Sequence, residues 1–153
     1  SLGGQIVLNY AVQYGTQNGK NLKGLITSSP NIKVSSVPQA KVIAAKLGTW
    51  LLPRLPLANE VDPKMLSHDR KVVRAYISDP LIYRKITFRL AAEILTNQGK
   101  MDTLAKQFKI PCLLLHGGGD TVCDPQGTKR FYELIPIKDK KLKIYEGLYP
   151  INC

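Results

Sequence analysis

Cysteine and histidine are scarce in this chain of 153 residues, at three and two copies. Cys112, Cys123 and Cys153 are odd in number and widely spaced, with no C-x-x-C. That argues against a disulfide framework and against a zinc site, and fits a reducing, cytoplasmic compartment. No metal and no cofactor is expected. Long apolar runs are also absent. The greasiest stretch, Trp50-Leu51-Leu52-Pro53-Arg54-Leu55-Pro56-Leu57, is broken by two prolines and an arginine, so it reads as no membrane span. The chain shows neither an initiator methionine nor a secretory leader with a charged start and a small-residue cleavage site. Acidic residues number 11 against 22 basic ones, a net charge of +11. The basic residues are spread along the chain, and Lys138-Asp139-Lys140-Lys141 reads as a solvated turn before a strand. Without zinc-finger spacing or an RNP-like aromatic motif, no nucleic-acid partner is expected.

What is present is the make-up of an ordinary globular domain, 44% hydrophobic and 22% charged. Ile6, Val7, Leu8, Tyr10 and Ala11 predict a buried helix after a Ser1-Leu2-Gly3-Gly4 turn, ending near Gly15 and Gly19. Leu22 to Pro30 predicts a short strand closed by a proline turn. The character then changes. Ile43, Leu47, Trp50 and Leu51 fall on one face of a helix, and Ser67 is placed to cap a helix through Val72, Val73, Tyr76 and Ile77. Asp79-Pro80 is expected to start a further helix through Ile86, Leu90, Ala91 and Ile94. Ile110 to His116, stopped by Gly117-Gly118-Gly119, reads as a buried strand, Thr128 to Leu134 as a helix, and Leu142 to Tyr145 as a last strand. The expected fold is α/β, with parallel strands, flanking helices and an inserted all-helical cap. Residues 1–35 and 108–153 would form the core and residues 36–107 the cap, without a strand.

Two positions carry candidate chemistry. Ser1-Leu2-Gly3-Gly4 matches the second half of a G-x-S-x-G nucleophile elbow, in which a serine sits on a sharp turn leading into a helix. On that reading the chain is the C-terminal part of a larger hydrolase, beginning at its nucleophile. The plainer reading is a glycine-rich helix entry with an incidental serine. Asp120 follows the glycines at the end of a predicted parallel strand, where catalytic groups collect in such sheets, although an aspartate there is also an ordinary turn residue.

Taken together, several segments are specific. They are Ser1-Leu2-Gly3-Gly4, Leu22 to Pro30, Leu52-Pro53-Arg54-Leu55-Pro56-Leu57, Asp79-Pro80-Leu81, Leu113 to Asp120 and Leu142 to Tyr149. Over nearly its whole length the chain resembles the monoacylglycerol lipase and lysophospholipase-like branch of the α/β-hydrolases. The resemblance implies Ser1 as nucleophile, Asp120 as the acid that orients a histidine, and the Leu2 backbone N–H as one oxyanion donor. It implies a lid of helices between Ser29 and Lys106 over an acyl-chain pocket, and a small lipid ester as substrate. A peripheral membrane contact through the cap, around Trp50, is an alternative to Trp50 facing the acyl tunnel. Family members place the catalytic histidine directly after the segment resembling Tyr145 to Tyr149, where this chain has Pro150. Proline has no titratable group and cannot take the serine's proton. His68 reads as a surface residue at a helix start in the cap, His116 as a structural residue, and Cys123 as a small buried residue near the pocket.

The expected function is therefore a serine ester hydrolase in the parent protein, with the chain itself inactive for want of the histidine and of an upstream oxyanion loop. The competing reading is a non-catalytic descendant that binds acyl lipids. An N-terminal nucleophile, with the α-amine of Ser1 as base, fits less well because Ser1 leads into a helix.

Overall fold

The central strand explains the rest of the architecture. Cys112–Gly117 is apolar on both faces, and it takes the middle place in a three-stranded parallel sheet. The structure is a computed structural model that describes residues 1–15, 22–33, 39–58, 62–83 and 85–149, without the side chains of Gln39, Lys41, Lys46 and Ala58. Gly19, Pro150 and Cys153 lie outside the described residues. In chain order the sheet strands are β1 (Leu25–Ser28), β4 (Cys112–Gly117) and β5 (Lys140–Tyr145), since two short strands of the insertion intervene. Leu25 pairs with Cys112 on one side of β4, and Cys112 with Lys140 on the other. Because all three strands run the same way, Ser28, Gly117 and Tyr145 end at one edge of the sheet, and the candidate residues gather there.

Helix α1 (Leu2–Tyr14) packs on β1, and α5 (Pro125–Leu134) packs on β4 and β5. The core joins Leu8 and Ala11 of α1 to Leu114, Phe108, Ile110, Phe131 and Ile135. Each large side chain buried there contributes about 1.5–3 kcal/mol. Helix α5 starts on Asp124, whose carboxylate accepts from Gln126 N–H at 2.9 Å, with Pro125 at its first turn. Lys140 Nζ donates to the carbonyls of Tyr132 and Ile135 at the other end of α5.

Helix α1 is only half buried, which corrects the expectation of a buried helix. Leu8 and Ala11 are buried, but Ile6, Val7 and Tyr10 are exposed, because the sheet and α4 cover one face of α1 and leave these residues uncovered among the described residues. Among the described residues strand β1 pairs only with β4 and leaves Ile26 exposed at the edge.

The insertion is mainly helical: α2 (Gln39–Leu51), a 3-10 turn (Pro63–Met65), α3 (Arg70–Ser78) and α4 (Phe88–Lys106). The expectation of no strand there needs one amendment. Pro56–Ala58 (β2) and Lys85–Thr87 (β3) form an antiparallel ribbon that joins two distant parts of the insertion. Asp79 also ends α3 rather than starting the next helix. Its Oδ1 accepts from Leu81 N–H at 2.8 Å in a local turn, and Thr87 instead caps α4 by accepting from Leu90 N–H. Asp69, not Ser67, caps α3, while Ser67 Oγ accepts from Asp69 N–H. The buried face of α2 holds Ala45, with Gly48 against the Phe88 ring and Thr49 Oγ bonded to the Ala45 carbonyl. Ile43, Leu47, Trp50 and Leu51 do share a helix face, but that face is exposed. Helix α4 is anchored to the sheet domain by Met101 and Ala105 in its core, and Gln5 Nε2 donates to the Ile94 carbonyl.

Candidate active site

Ser1 stands just before α1 as its N-cap, with Oγ 3.3 Å from the Gly4 N–H. The N–H groups of Leu2 and Gly3 lie in the first turn, where a helix offers no acceptor of its own and its dipole favours negative charge. The turn is pinned to the end of β1. The Ser1 backbone nitrogen donates to the Ser29 carbonyl, and the Ser1 carbonyl accepts from Asn31 N–H at 2.9 Å. Two features let the chain close this tightly. Gly4 has no room for a side chain, since a Cβ there would fall 2.7 Å from Pro30 Cα and 2.8 Å from Thr27 Oγ1. Ser29, buried and with φ of 41°, holds a left-handed conformation unusual for a residue other than glycine. Nothing in the letter sequence marks Ser29 for that role.

Asp120 follows β4 and is buried. Its Oδ1 accepts from the N–H groups of Val122, at 2.9 Å, and Cys123, at 2.7 Å. Cys123 in turn brings its Sγ to 3.4 Å from the Ser1 backbone nitrogen. The serine turn and the aspartate loop thus meet through Cys123, as parallel strands with a common end require. Burial pushes the Cys123 thiol up, against the lowering effect of the Ser1 ammonium, which fits a packing role for its side chain.

The other carboxylate oxygen is the informative one. Asp120 Oδ2 is buried and has no hydrogen-bond partner among the described residues. His116 Nε2 lies only 3.3 Å away, yet its hydrogen is directed to the Cys123 carbonyl at 3.0 Å, so the short distance is not a hydrogen bond. A carbonyl can only accept, so Nε2 carries the proton and Nδ1 can accept from the Thr128 hydroxyl at 2.7 Å. With both nitrogens engaged and no exposure to solvent, His116 is locked into the scaffold. Thr128, its partner, had no signal in the sequence.

His68 is exposed and lies across the loop after β5. Its ring stacks on Tyr149, with centroids 3.8 Å apart, and Nε2 lies 3.3 Å from the Gly147 carbonyl. Gly147 makes this turn with φ of 70°. Tyr149 in turn covers Gly119, where a Cβ would lie 3.3 Å from its ring. The loop preceding Pro150 therefore passes directly over the strand end that carries Asp120.

A family model described as Hydrolase_4, serine aminopeptidase S33, matches residues 1–149. The chain belongs to that family. This α/β-hydrolase is 34% identical over 156 residues to monoglyceride lipase of Rattus norvegicus, covering 99% of this chain and 49% of the relative. It is 33% identical to the Homo sapiens monoglyceride lipase at the same coverage. Among solved structures it matches the monoacylglycerol lipase of Paleococcus ferrophilus, with a TM-score of 0.91 and 33% identity over 98% of this chain and 57% of that one. A soluble variant of the Saccharomyces cerevisiae monoglyceride lipase, solved with a substrate analog, matches at a TM-score of 0.84 and 29% identity, covering 99% of this chain and 52% of that one. The hydrolase chain thus spans about half the length of these relatives.

Among the described residues, no group of three or more His, Cys, Asp or Glu is placed to hold a metal ion. No described helix is long and apolar enough to cross a membrane.

Proposed function

We propose that Ser1, Asp120 and the Leu2 N–H belong to the site of a serine ester hydrolase acting on monoacylglycerol or lysophospholipid-like esters, and that Pro150 deprives this chain of the base. The observation that carries the reading is the buried Asp120 Oδ2 beside the serine turn, which has no hydrogen-bond partner among the described residues. A buried carboxylate oxygen with no donor is costly, and in a serine hydrolase of this topology that oxygen receives the N–H of the catalytic histidine. The match to monoglyceride lipases supports the ester class.

In the reaction, Ser1 Oγ attacks the ester carbonyl carbon while a base takes its proton. The glycerol oxygen leaves with that proton, and the acyl group remains on Ser1. Water, activated by the same base, then releases the fatty acid and restores the serine. The Leu2 N–H donates to the oxygen that becomes negative in each tetrahedral intermediate. Asp120 accepts from the base and holds it in the tautomer that faces Ser1. A proline at position 150 removes the proton carrier, while Ser1, Asp120 and the Leu2 N–H remain in the chain. The exposed Trp50, Leu51, Leu52 and Leu55 form an apolar surface on the insertion that supports contact with a lipid surface.

Release of oleate from 1-monooleoylglycerol tests the reading. The protein with Pro150 is expected to give little turnover, and Pro150→His to raise it by at least ~100-fold, the lower end of what a positioned base contributes. That gain should vanish when Ser1→Ala or Asp120→Asn is added. Turnover by the Pro150 protein that survives Ser1→Ala would overturn the assignment. A non-catalytic role in binding acyl lipids is the second reading, favoured by Pro150 itself. It predicts no gain from the histidine but retained binding of a monoacylglycerol ether, which cannot be hydrolysed.

A further inference from the structure

Beside the loop that carries Tyr149, the insertion borders an open hollow of about 750 Å³ lined by Lys64, His68, Arg70, Val73, Arg74 and Tyr149, with Ser67 also in its wall. Three of these side chains are cations and none is a carboxylate. Among the described residues, no ion pair forms at Lys64, Arg70 or Arg74. The carboxylates nearest in sequence are turned onto backbone instead: Asp62 Oδ1 accepts from Lys64 N–H at 2.9 Å and Asp69 Oδ1 from Lys71 N–H at 2.7 Å. Elsewhere the chain does pair its surface charges, Arg130 with Asp102 at 2.7 Å and Lys33 with Asp124 at 2.9 Å. Like charges left unpaired around one hollow raise the local potential for an anion.

We propose that this cavity binds a phosphate group, carried by a lipid headgroup or by a free phosphorylated molecule. Two guanidiniums and an ammonium, with Arg74 Nε already donating to the Arg70 carbonyl at 3.3 Å and its terminal nitrogens left for a ligand, match the several terminal oxygens of a phosphate, whereas one fork would satisfy a carboxylate. Val73 and the Tyr149 ring provide an apolar wall for the carbon skeleton next to it. Tyr149 lies over Gly119, the residue before Asp120, so the bound group would sit at the margin of the candidate active site. The binding rests on the charges and the cavity alone and does not require Ser1 to turn over any ester.

The test uses two probes on the chain. Inorganic phosphate is titrated calorimetrically, and phosphatidylcholine vesicles with and without phosphatidic acid are used in flotation. The pair Arg70→Ala/Arg74→Ala removes two exposed cations from the cavity. The control pair Lys23→Ala/Lys141→Ala removes the same charge from exposed positions on the sheet domain. Circular dichroism checks that both variants keep the fold. The cavity pair should weaken phosphate binding at least ~10-fold, as expected for loss of two bidentate charge-assisted contacts, and the control pair should leave it within about twofold. Flotation only with phosphatidic acid, lost in the cavity pair, would identify a lipid headgroup. Phosphate binding without such flotation would identify a free phosphorylated ligand. Failure of the unmodified chain to bind either probe, or equal weakening by both pairs, would overturn the proposal.

Discussion

A methyl group added at Gly4 should do more damage than at any other helical glycine near the serine turn. Its carbon would lie 2.7 Å from Pro30 Cα, 2.8 Å from Pro30 Cβ and 2.8 Å from Thr27 Oγ1. One of these is a backbone atom that cannot swing away, so α1 must lift off β1 and draw Ser1 from its contact with Ser29. Overpacking of this kind costs about 1–3 kcal/mol, and the upper half of that range applies where backbone is struck. Alanine in place of glycine returns about 0.5–1 kcal/mol of helix propensity. The net for Gly4→Ala is a loss of about 1–2.5 kcal/mol, which lowers Tm by roughly 2–10 °C for a chain of this size. Gly99, in α4, supplies the internal control, since a Cβ there meets nothing within 4 Å. Gly99→Ala should raise Tm by roughly 1–4 °C through propensity alone. Unfolding followed by circular dichroism at 222 nm measures both. A Gly4→Ala protein that melts at or above the unmodified protein would refute the close packing of α1 on β1 that positions Ser1.

Three further outcomes are expected. Burial raises the Asp124 carboxyl, but the Lys33 ammonium and then the Gln126 N–H outweigh it and hold the group below its usual value of 3.8. A lowered acid contributes stability above its unfolded pKa and loses it as pH falls through the folded one, so Asp124→Ala should cost about 1 kcal/mol at pH 7 and progressively less below about pH 4, by urea unfolding. Burial pushes the Cys112 thiol up to about 11, so Cys112 should escape iodoacetamide at pH 8 in the folded protein and react after denaturation, as read by peptide mass mapping. Trp50→Ala should reduce flotation with neutral phosphatidylcholine vesicles without changing Tm, because the side chain is 84% exposed; unchanged flotation would remove Trp50 from the membrane contact.

The sheet was readable because its signals are local. The run Leu113-Leu114-Leu115 is apolar on both faces and stopped by glycines, which is the pattern of a central parallel strand, and Asp120 could be placed at its end without any knowledge of packing. The ribbon of Pro56–Ala58 with Lys85–Thr87 was not readable, because three-residue strands have no period and their partner lies far along the chain. Asp79-Pro80 misled because the same aspartate chemistry that caps a helix also closes a turn after one. The face of α2 was legible but its direction was not: alternation separates two faces, and only the contact of Gly48 with Phe88 decides which is covered. At the site, Ser1 and Asp120 carried signals in their motifs. The left-handed Ser29, the Thr128–His116 bond and the orphaned Asp120 Oδ2 arise only when distant segments meet.

The central claim is that Ser1 is a nucleophile held ready beside an acid but without a base. Mass mapping after exposure to a fluorophosphonate probe addresses it most directly, since the probe phosphonylates an activated serine and identifies the atom attacked. The account predicts no Ser1 adduct in the protein with Pro150 and a Ser1 adduct in Pro150→His that disappears in Asp120→Asn. Prompt modification of Ser1 with proline in place, or an adduct on any other serine in the histidine variant, would contradict it.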